Sequence, residues 1–174
     1  FYAHGLDGVI RQQEGKIRGV LNGIDTKLYD PATDPSLTEN YTARAPVKGK
    51  AACKAALQQA VGLRPEPDIP VVACISRLVG HKGFGMVTDA LSQIMDLNVQ
   101  MVVLGTGNWQ FEEAFRNAQA QYPGRFSAQI AYSASLSTMI YAGADIFLMP
   151  SGSEPGGLSQ MIAMRYGTVP LVRE

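Results

Sequence analysis

The sequence has few of the residues that metal sites, disulfide frameworks and nucleic-acid surfaces require. Its 174 residues include only 2 cysteines and 2 histidines, too few for a disulfide framework or for a zinc site without further ligands. Basic and acidic residues balance at 15 each, so no charge excess favours nucleic acid or a membrane surface. No apolar run reaches the ~20 residues that span a membrane. We expect Cys53 and Cys74 to be reduced thiols of an intracellular protein.

Apolar residues, in contrast, are plentiful: 46% of the chain is hydrophobic, enough for a full core. From residue 69 onward, short apolar runs alternate with runs of helical spacing. The predicted strands are 69–76, 99–104, 126–132, 144–149 and 169–172, and the predicted helices are 85–95, 109–122, 135–142 and 158–166. This alternation predicts an α/β fold, a Rossmann-like parallel sheet with helices on both faces.

The first 50 residues follow a different pattern. Residues 1–25 predict a short helix, a strand at 17–21 and an Asn22-Gly23 turn, which together cannot bury a core. Residues 26–49 are rich in proline and polar side chains and are expected to be a surface linker or hinge, anchored by Tyr29 and Tyr41 to the domains on either side. A helix at 50–61, stopped by Gly62, begins the main domain at 50–174.

The stretch 150–158 is the first candidate for a binding site, because it joins a predicted strand to a predicted helix. Ligands of parallel α/β sheets bind at the carboxyl ends of the strands. The unpaired N–H groups at a helix start attract anions, and Gly156 and Gly157 let a ligand approach the backbone. The Glu154 carboxylate can accept hydrogen bonds from sugar hydroxyls, although it could also simply cap the helix. The combination favours a nucleotide sugar as ligand.

The loop 76–84 holds two cations at another strand end. Arg77 and Lys82 could neutralise a diphosphate and stabilise its charge as it leaves, without a metal ion. The competing interpretation is a solvated loop with ordinary surface charges. The position at a strand end and the Gly83 that follows favour the binding interpretation.

Three further candidates have weaker support from the residues alone. Gly105-Thr106-Gly107 follows a strand but lacks the third glycine of a dinucleotide fingerprint, so a tight turn is an equally good interpretation. Tyr132 could stack on a nucleobase or be an ordinary core or edge tyrosine. Asn22 could reach the substrate, but a turn is favoured.

Three motifs resemble one known family. They are Ser151-x-x-Glu154-Pro155-x-Gly157-Leu158-x-Gln160 with Arg165-Tyr166-Gly167-Thr168, Ser76-Arg77-Leu78-x-x-x-Lys82-Gly83, and Gly5-Leu6-Asp7-Gly8-Val9 with Gly19-Val20-Leu21-Asn22-Gly23-Ile24-Asp25. In this order they resemble the bacterial glycogen synthases and plant starch synthases, retaining glucosyltransferases with the two-domain GT-B fold. The resemblance extends over nearly the whole chain.

The resemblance implies transfer of glucose from ADP-glucose, as a substrate, to the non-reducing end of an α-1,4-glucan, with no cofactor or metal. Arg77 and Lys82 would then hold the diphosphate, and Glu154 with the amides of 156–158, from Gly156 and Gly157 to Leu158, would hold glucose. The resemblance places Tyr132 against adenine, Gly105 and Gly107 on the nucleotide side, and Asn22 on the sugar or acceptor side. Glu154, Arg77 and Lys82 are the expected catalytic residues.

The chain also departs from the family pattern. Gly156 stands where the family usually has Cys. Ile162 stands where many other GT-B enzymes have a second Glu, which glycogen and starch synthases also commonly lack, so this difference favours the resemblance. The resemblance implies that residues 1–25 are the tail end of the N-terminal GT-B domain, and we expect the main body of that domain, with its Lys-x-Gly-Gly loop, to be missing. We therefore expect a fragment, the C-terminal half of a GT-B fold truncated at its C-terminal end, that transfers nothing alone. The expected location is the bacterial cytoplasm, or the plastid if the source is a plant.

Two alternatives remain open. One is another retaining GT-B glycosyltransferase with a different nucleotide-sugar donor, since the residues do not distinguish adenine from uracil. The other is a non-catalytic nucleotide-binding domain.

Overall fold

A computed structural model describes residues 5–173 of the chain, and residues 1–4 of the predicted N-terminal piece lie outside them. Five strands form one sheet: β1 Val71–Ile75, β2 Gln100–Leu104, β3 Phe126–Gln129, β4 Ile146–Met149 and β5 Val169–Val172. Their order is β3-β2-β1-β4-β5, and all neighbouring strands run parallel. The predicted parallel sheet is confirmed.

Helices cover both faces of this sheet. They are α2 Val47–Val61, α3 Phe84–Asp89, α4 Leu91–Asp96, α5 Trp109–Gln121, α6 Ala134–Gly143 and α7 Leu158–Arg165, whereas α1 Asp7–Gln12 is exposed along its whole length and belongs to neither core. Residues of α2, α6 and α7 form one apolar core with the sheet, and residues of α3, α4 and α5 form the other. In β1, Val71 and Ala73 face the first core while Val72 and Cys74 face the second. Burial on both faces explains why β1 is a continuous apolar run, whereas β5, at the end of the sheet, is largely exposed.

The strand order creates a crevice at the carboxyl ends of the central strands. From β1 the chain builds outward through β2 to β3, and then returns to the other side of β1 to form β4 and β5. The order therefore reverses between β1 and β4. At such a reversal the loops after the two strands diverge, and ligands bind in the gap beyond their carboxyl ends. The loops that flank this gap are 76–83 and 150–157.

The helix predicted at 85–95 is instead two short helices that meet at Ala90. The Thr88 hydroxyl donates hydrogen bonds to the carbonyls of Phe84 and Gly85, at 3.1 and 2.9 Å. Such back-bonding to the preceding turn bends helices. The bend still buries the predicted apolar residues Val87 and Met95.

Two predictions for the N-terminal piece are wrong. No strand forms at 17–21, where Val20 and Leu21 are 90% and 85% exposed and no neighbouring strand pairs with them among the described residues. The turn predicted at Asn22-Gly23 lies instead at 26–28. The Asp25 carboxylate accepts the N–H groups of Lys27 and Leu28 there, which fixes the turn four residues later than expected.

The segment expected to be a linker packs against the main domain. Tyr41 is buried, and its hydroxyl donates to the carbonyl of Tyr166 at 2.8 Å. The Tyr166 hydroxyl in turn donates to the buried carboxylate of Asp34 at 2.5 Å. Tyr29 packs against the same core, so both tyrosines hold the segment on the main domain and not on domains at either side of it. Helix α2 starts at Val47, three residues before the predicted start, while the division into domains stays a prediction.

A half-buried lysine joins the helices on this face. The Lys50 ammonium donates to the carbonyls of Ala142, Ala144 and Tyr166 and to the Thr168 hydroxyl, at 2.9 to 3.2 Å. Burial lowers the pKa of Lys50 to about 8, against the opposing effect of the Asp145 charge. These bonds tie α2 to the ends of α6 and α7.

We expect Lys50→Met to lower the free energy of unfolding by roughly 2–4 kcal/mol, because it removes a half-buried donor that three carbonyls and one hydroxyl share. Urea denaturation measures this change. Lys48→Met is the matched control, since Lys48 lies on the same helix with its side chain 88% exposed and should leave the midpoint unchanged. Equal midpoints for the two variants would contradict a structural role for Lys50.

Candidate active site

Two adjoining cavities lie along the carboxyl edge of the sheet. The larger, about 480 Å³, lies over the gap between β1 and β4 and is lined by the candidate residues Asn22, Arg77, Lys82, Glu154, Gly156, Gly157 and Leu158. The smaller, about 220 Å³, lies beside it and includes Arg77, Gly105 and Tyr132. Ser76, Arg77 and Ser159 line both. All of the residues proposed from the sequence, apart from Gly107, therefore line one continuous cleft.

The loops after β1 and β4 touch each other directly. Gly83 has a φ of +81°, and a Cβ added there would overlap the carbonyl group of Pro150. The Gly152 N–H donates to the His81 carbonyl at 3.0 Å. Only glycine fits both the left-handed conformation and the close approach at residue 83. This contact brings the two loops within reach of one ligand.

Lys82 and Glu154, one from each loop, form an ion pair in the larger cavity. The Lys82 Nζ lies 2.6 Å from Glu154 Oε2, and the Ser151 hydroxyl donates to the same oxygen at 3.2 Å. The two side chains are 18% and 26% exposed, so water screens the pair only partly. The spacing of 72 residues gave no sign of this contact, which arises because the sheet places β1 and β4 side by side.

The environment keeps Glu154 ionised. Partial burial acts to raise its pKa, but the hydrogen bond and charge of Lys82 outweigh this effect. The Ser151 hydroxyl and the Gly157 N–H add to them, and the pKa of Glu154 falls below its usual value. An ionised carboxylate here can accept hydrogen bonds from ligand hydroxyls and can stabilise positive charge that develops beside it.

Arg77 supplies a second positive charge to the cleft. Its side chain is exposed where the two cavities meet, and within residues 5–173 it makes no hydrogen bond or ion pair. The next residue, Leu78, is fully buried and holds the loop in place. The Arg77 guanidinium is therefore available for an anion, and with Lys82 it makes this part of the cleft suitable for phosphate groups.

Gly156 and Gly157 directly precede α7 and lie beside Glu154 in the chain. Gly157 has a φ of +58°, which suits the residue that precedes the helix. A Cβ added at Gly156 would lie 3.3 Å from the Asn22 Nδ2, so the Asn22 side chain lies against this backbone. The sequence favoured a turn at Asn22, and the structure instead brings Asn22 into the cleft.

Gly105 and Gly107, in the loop after β2, allow close packing of that loop against the loop after β1. A Cβ at Gly105 would overlap the Ser76 carbonyl, and one at Gly107 would overlap the backbone of Leu78. The Gly107 N–H donates to the Glu112 carboxylate at 2.9 Å, a contact that sequence reasoning missed. Gly105 lines the smaller cavity, whereas Gly107 lines neither. Both let the loop after β2 lie close against the loop after β1.

Tyr132 is 93% exposed at the rim of the smaller cavity. Strand β3 ends at Gln129, so Tyr132 lies in the loop beyond the strand and not at its last position as predicted. The alternative interpretation as a core tyrosine is therefore wrong. The ring is free to stack on a planar group bound in the cavity.

The described part of the chain offers neither a candidate metal site nor a candidate membrane span. No cluster of three or more His, Cys, Asp or Glu residues in it could hold a metal ion. No helix within the same residues combines the length and apolar character that membrane crossing requires. The expectation of a reaction without metal or cofactor stays a prediction.

Comparison with known proteins identifies relatives of the whole chain. A family model described as glycosyl transferases group 1 matches residues 58–174. The glycogen synthase of Streptococcus mutans serotype c is 51% identical over 173 residues, 99% of this chain and 36% of that protein. The glycogen synthase of Geobacillus thermodenitrificans is 45% identical over 174 residues, again 36% of its length. The chain thus spans about a third of the length of these relatives.

Solved structures agree with these matches. The catalytic domain of starch synthase IV from Arabidopsis thaliana, solved bound to ADP and acarbose, superposes with a TM-score of 0.90. It is 38% identical, and the match covers 97% of this chain and 35% of that one. The C-terminal domain of the group 1 glycosyl transferase LpcC from Francisella tularensis, 16% identical with a TM-score of 0.55, shares the fold alone.

We expect Gly83→Ala to lower the free energy of unfolding by about 1–3 kcal/mol, because alanine strains the left-handed backbone and meets the Pro150 carbonyl. Gly85→Ala, two residues on in α3, is the control, since nothing lies within 4 Å of its Cβ. Denaturant titration compares the two. Equal stabilities would show that the two loops do not need this contact.

The Glu154 carboxyl pKa, followed by carbon-detected NMR, should rise in Lys82→Met. The variant removes the hydrogen bond and charge that lower this pKa and keeps the burial that raises it. In the wild-type protein the ion pair contributes its full stability at pH values above the ordinary carboxyl pKa. This contribution is lost as the pH falls through the lowered pKa of Glu154. Lys48→Met should leave the titration unchanged. A Glu154 pKa that does not respond to Lys82→Met would show that the pair is absent in solution.

Proposed function

The chain belongs to the group 1 glycosyl transferases, and from this premise we propose that it is the donor-binding part of a glycogen synthase. The reaction would move glucose from ADP-glucose to the non-reducing end of an α-1,4-glucan with retention of configuration. The observation that carries the proposal is the Lys82–Glu154 pair, with Arg77 beside it, at the reversal point of the sheet. This arrangement puts phosphate-binding cations and a hydroxyl-binding carboxylate in one cavity.

Each part of the donor has a matching part of the cleft. The diphosphate lies against Arg77 and Lys82, whose charges stabilise the leaving group as its bond to glucose breaks. Glucose lies against Glu154 and the amides of residues 156–158. The adenine ring occupies the smaller cavity and stacks on the exposed ring of Tyr132. The ADP in the starch synthase structure supports this choice of nucleotide.

The rest of the reaction requires chain beyond these residues. The acceptor glucan and the second domain of the GT-B fold are proposed partners, in keeping with relatives about three times as long as this chain. Closure of that domain over the donor would exclude water from the transfer step. We also propose a cytoplasmic location, where the buried, unpaired Cys53 and Cys74 remain reduced.

Calorimetric titration of the full-length protein with ADP and with UDP tests the donor assignment. We expect ADP to bind more tightly than UDP, and Lys82→Ala to weaken ADP binding about tenfold or more through loss of a phosphate contact. Lys48→Ala, on the exposed face of α2, is the control and should bind as wild type does. Equal affinity for UDP, or no effect of Lys82→Ala, would contradict the proposal.

Transfer of labelled glucose from ADP-glucose to a maltooligosaccharide tests the reaction in the same preparation. Glu154→Gln should reduce kcat far more than it reduces ADP affinity, because the carboxylate contacts glucose and not the nucleotide. Proton NMR of the product should show only α-linkages. A folded protein that binds ADP and transfers no glucose would support the non-catalytic alternative.

A further inference from the structure

Helix α7 meets the cleft at its N-terminal end and holds the segment that precedes α2 at its C-terminal end. Its first end follows Gly156 and Gly157, which line the larger cavity. Its last residue, Arg165, holds the segment that precedes α2. Eight residues rising ~1.5 Å each make α7 about 12 Å long, so the two attachments are well separated.

Arg165 makes three contacts with this segment. Its Nε donates to the Tyr29 carbonyl at 2.9 Å, and its Nη2 donates to the Thr26 carbonyl at 3.3 Å. The same Nη2 lies 3.0 Å from the Asp30 carboxylate. A guanidinium fork can hold several oxygens at fixed angles, which a lysine ammonium cannot do in the same way. The start of the segment is therefore fixed to the end of α7.

The chain returns from this anchor to the cleft. Asn22 precedes Thr26 by four residues, and four residues of extended chain span at most about 13–14 Å. This reach matches the length of α7, so residues 22–26 are just long enough to bring Asn22 back to Gly156 at the other end. A Cβ at Gly156 would lie 3.8 Å from the Asn22 Cβ. Residues 5–21 are all exposed and give Asn22 no packed support from upstream.

We propose that Arg165 is a positioning residue that holds Asn22 in the cleft. Arg165 touches no part of the cavity itself. It fixes Thr26 and Tyr29, and the short chain from this anchor then places the Asn22 amide against Gly156, on the glucose side of Glu154. The amide can donate and accept hydrogen bonds with sugar hydroxyls there. Only the catalytic consequence of this placement rests on the proposed function.

A disulfide between residues 22 and 156 tests the placement without any assay of activity. The Cβ separation of 3.8 Å equals the mean for disulfides, about 3.8 Å, so Asn22→Cys with Gly156→Cys should cross-link readily under mild oxidation. Peptide mass spectrometry follows the yield, and the native cysteines are buried and do not compete. Adding Arg165→Ala should slow cross-linking about tenfold, as the anchor is lost.

Arg64→Ala is the matched control for this experiment. Arg64 also donates to a loop carbonyl, that of Pro123, and lies near a carboxylate, that of Glu66, but it lines neither cavity of the cleft. It should leave the cross-linking rate unchanged. Equal rates with and without Arg165, or no cross-link in the parent pair, would overturn the proposal.

Steady-state kinetics on the full-length enzyme test the consequence. Arg165→Ala should lower kcat for glucose transfer and leave ADP affinity unchanged, with Arg165→Lys partly restoring kcat. The double variant with Asn22→Ala should have the same kcat as Asn22→Ala alone, because the two substitutions remove the same interaction. Additive losses would show a separate structural role and contradict the proposal. A wild-type enzyme without transfer activity would refute the proposed function, while the cross-linking result would still stand.

Discussion

The site depends on the contact between the loops that follow β1 and β4. These loops are far apart in sequence, and the reversal of strand order brings them to neighbouring positions. Gly83 then lies against the Pro150 carbonyl, a fit that requires a residue without a side chain. Because of this contact, Lys82 and Glu154 meet at 2.6 Å, and Arg77 and the start of α7 line the same cavity.

The charges of the cleft follow from this arrangement. Lys82 keeps Glu154 ionised, and Glu154 in turn leaves one cation, Arg77, free for a ligand. A phosphate that enters the cavity competes with Glu154 for Lys82. The Lys82 ammonium is therefore an anion site that Glu154 occupies until a ligand binds. Binding of a donor would therefore release Glu154 toward the sugar at the same time as it recruits Lys82. This exchange would couple recognition of the two halves of a nucleotide sugar.

Much of the fold could be predicted from the sequence because its signals were local. Buried strands such as β1 are continuous apolar runs, and Gly62 and Gly167 end α2 and α7 where expected. The predictions that failed depended on side-chain hydrogen bonds that apolar periodicity does not show. The Thr88 hydroxyl bonds back to the preceding turn at the bend near Ala90, and the Asp25 carboxylate forms the turn at 26–28. Asn22 enters the cleft through an anchor on α7 that no local pattern shows.

The central claim is that one cleft at the reversal point holds both halves of ADP-glucose. The most direct test is a crystal structure of the full-length protein with ADP-glucose bound. The account predicts phosphate oxygens within hydrogen-bond distance of Arg77 and Lys82, glucose hydroxyls on Glu154, and adenine over Tyr132. A donor bound elsewhere, or one whose phosphates leave the Lys82–Glu154 pair intact, would contradict it.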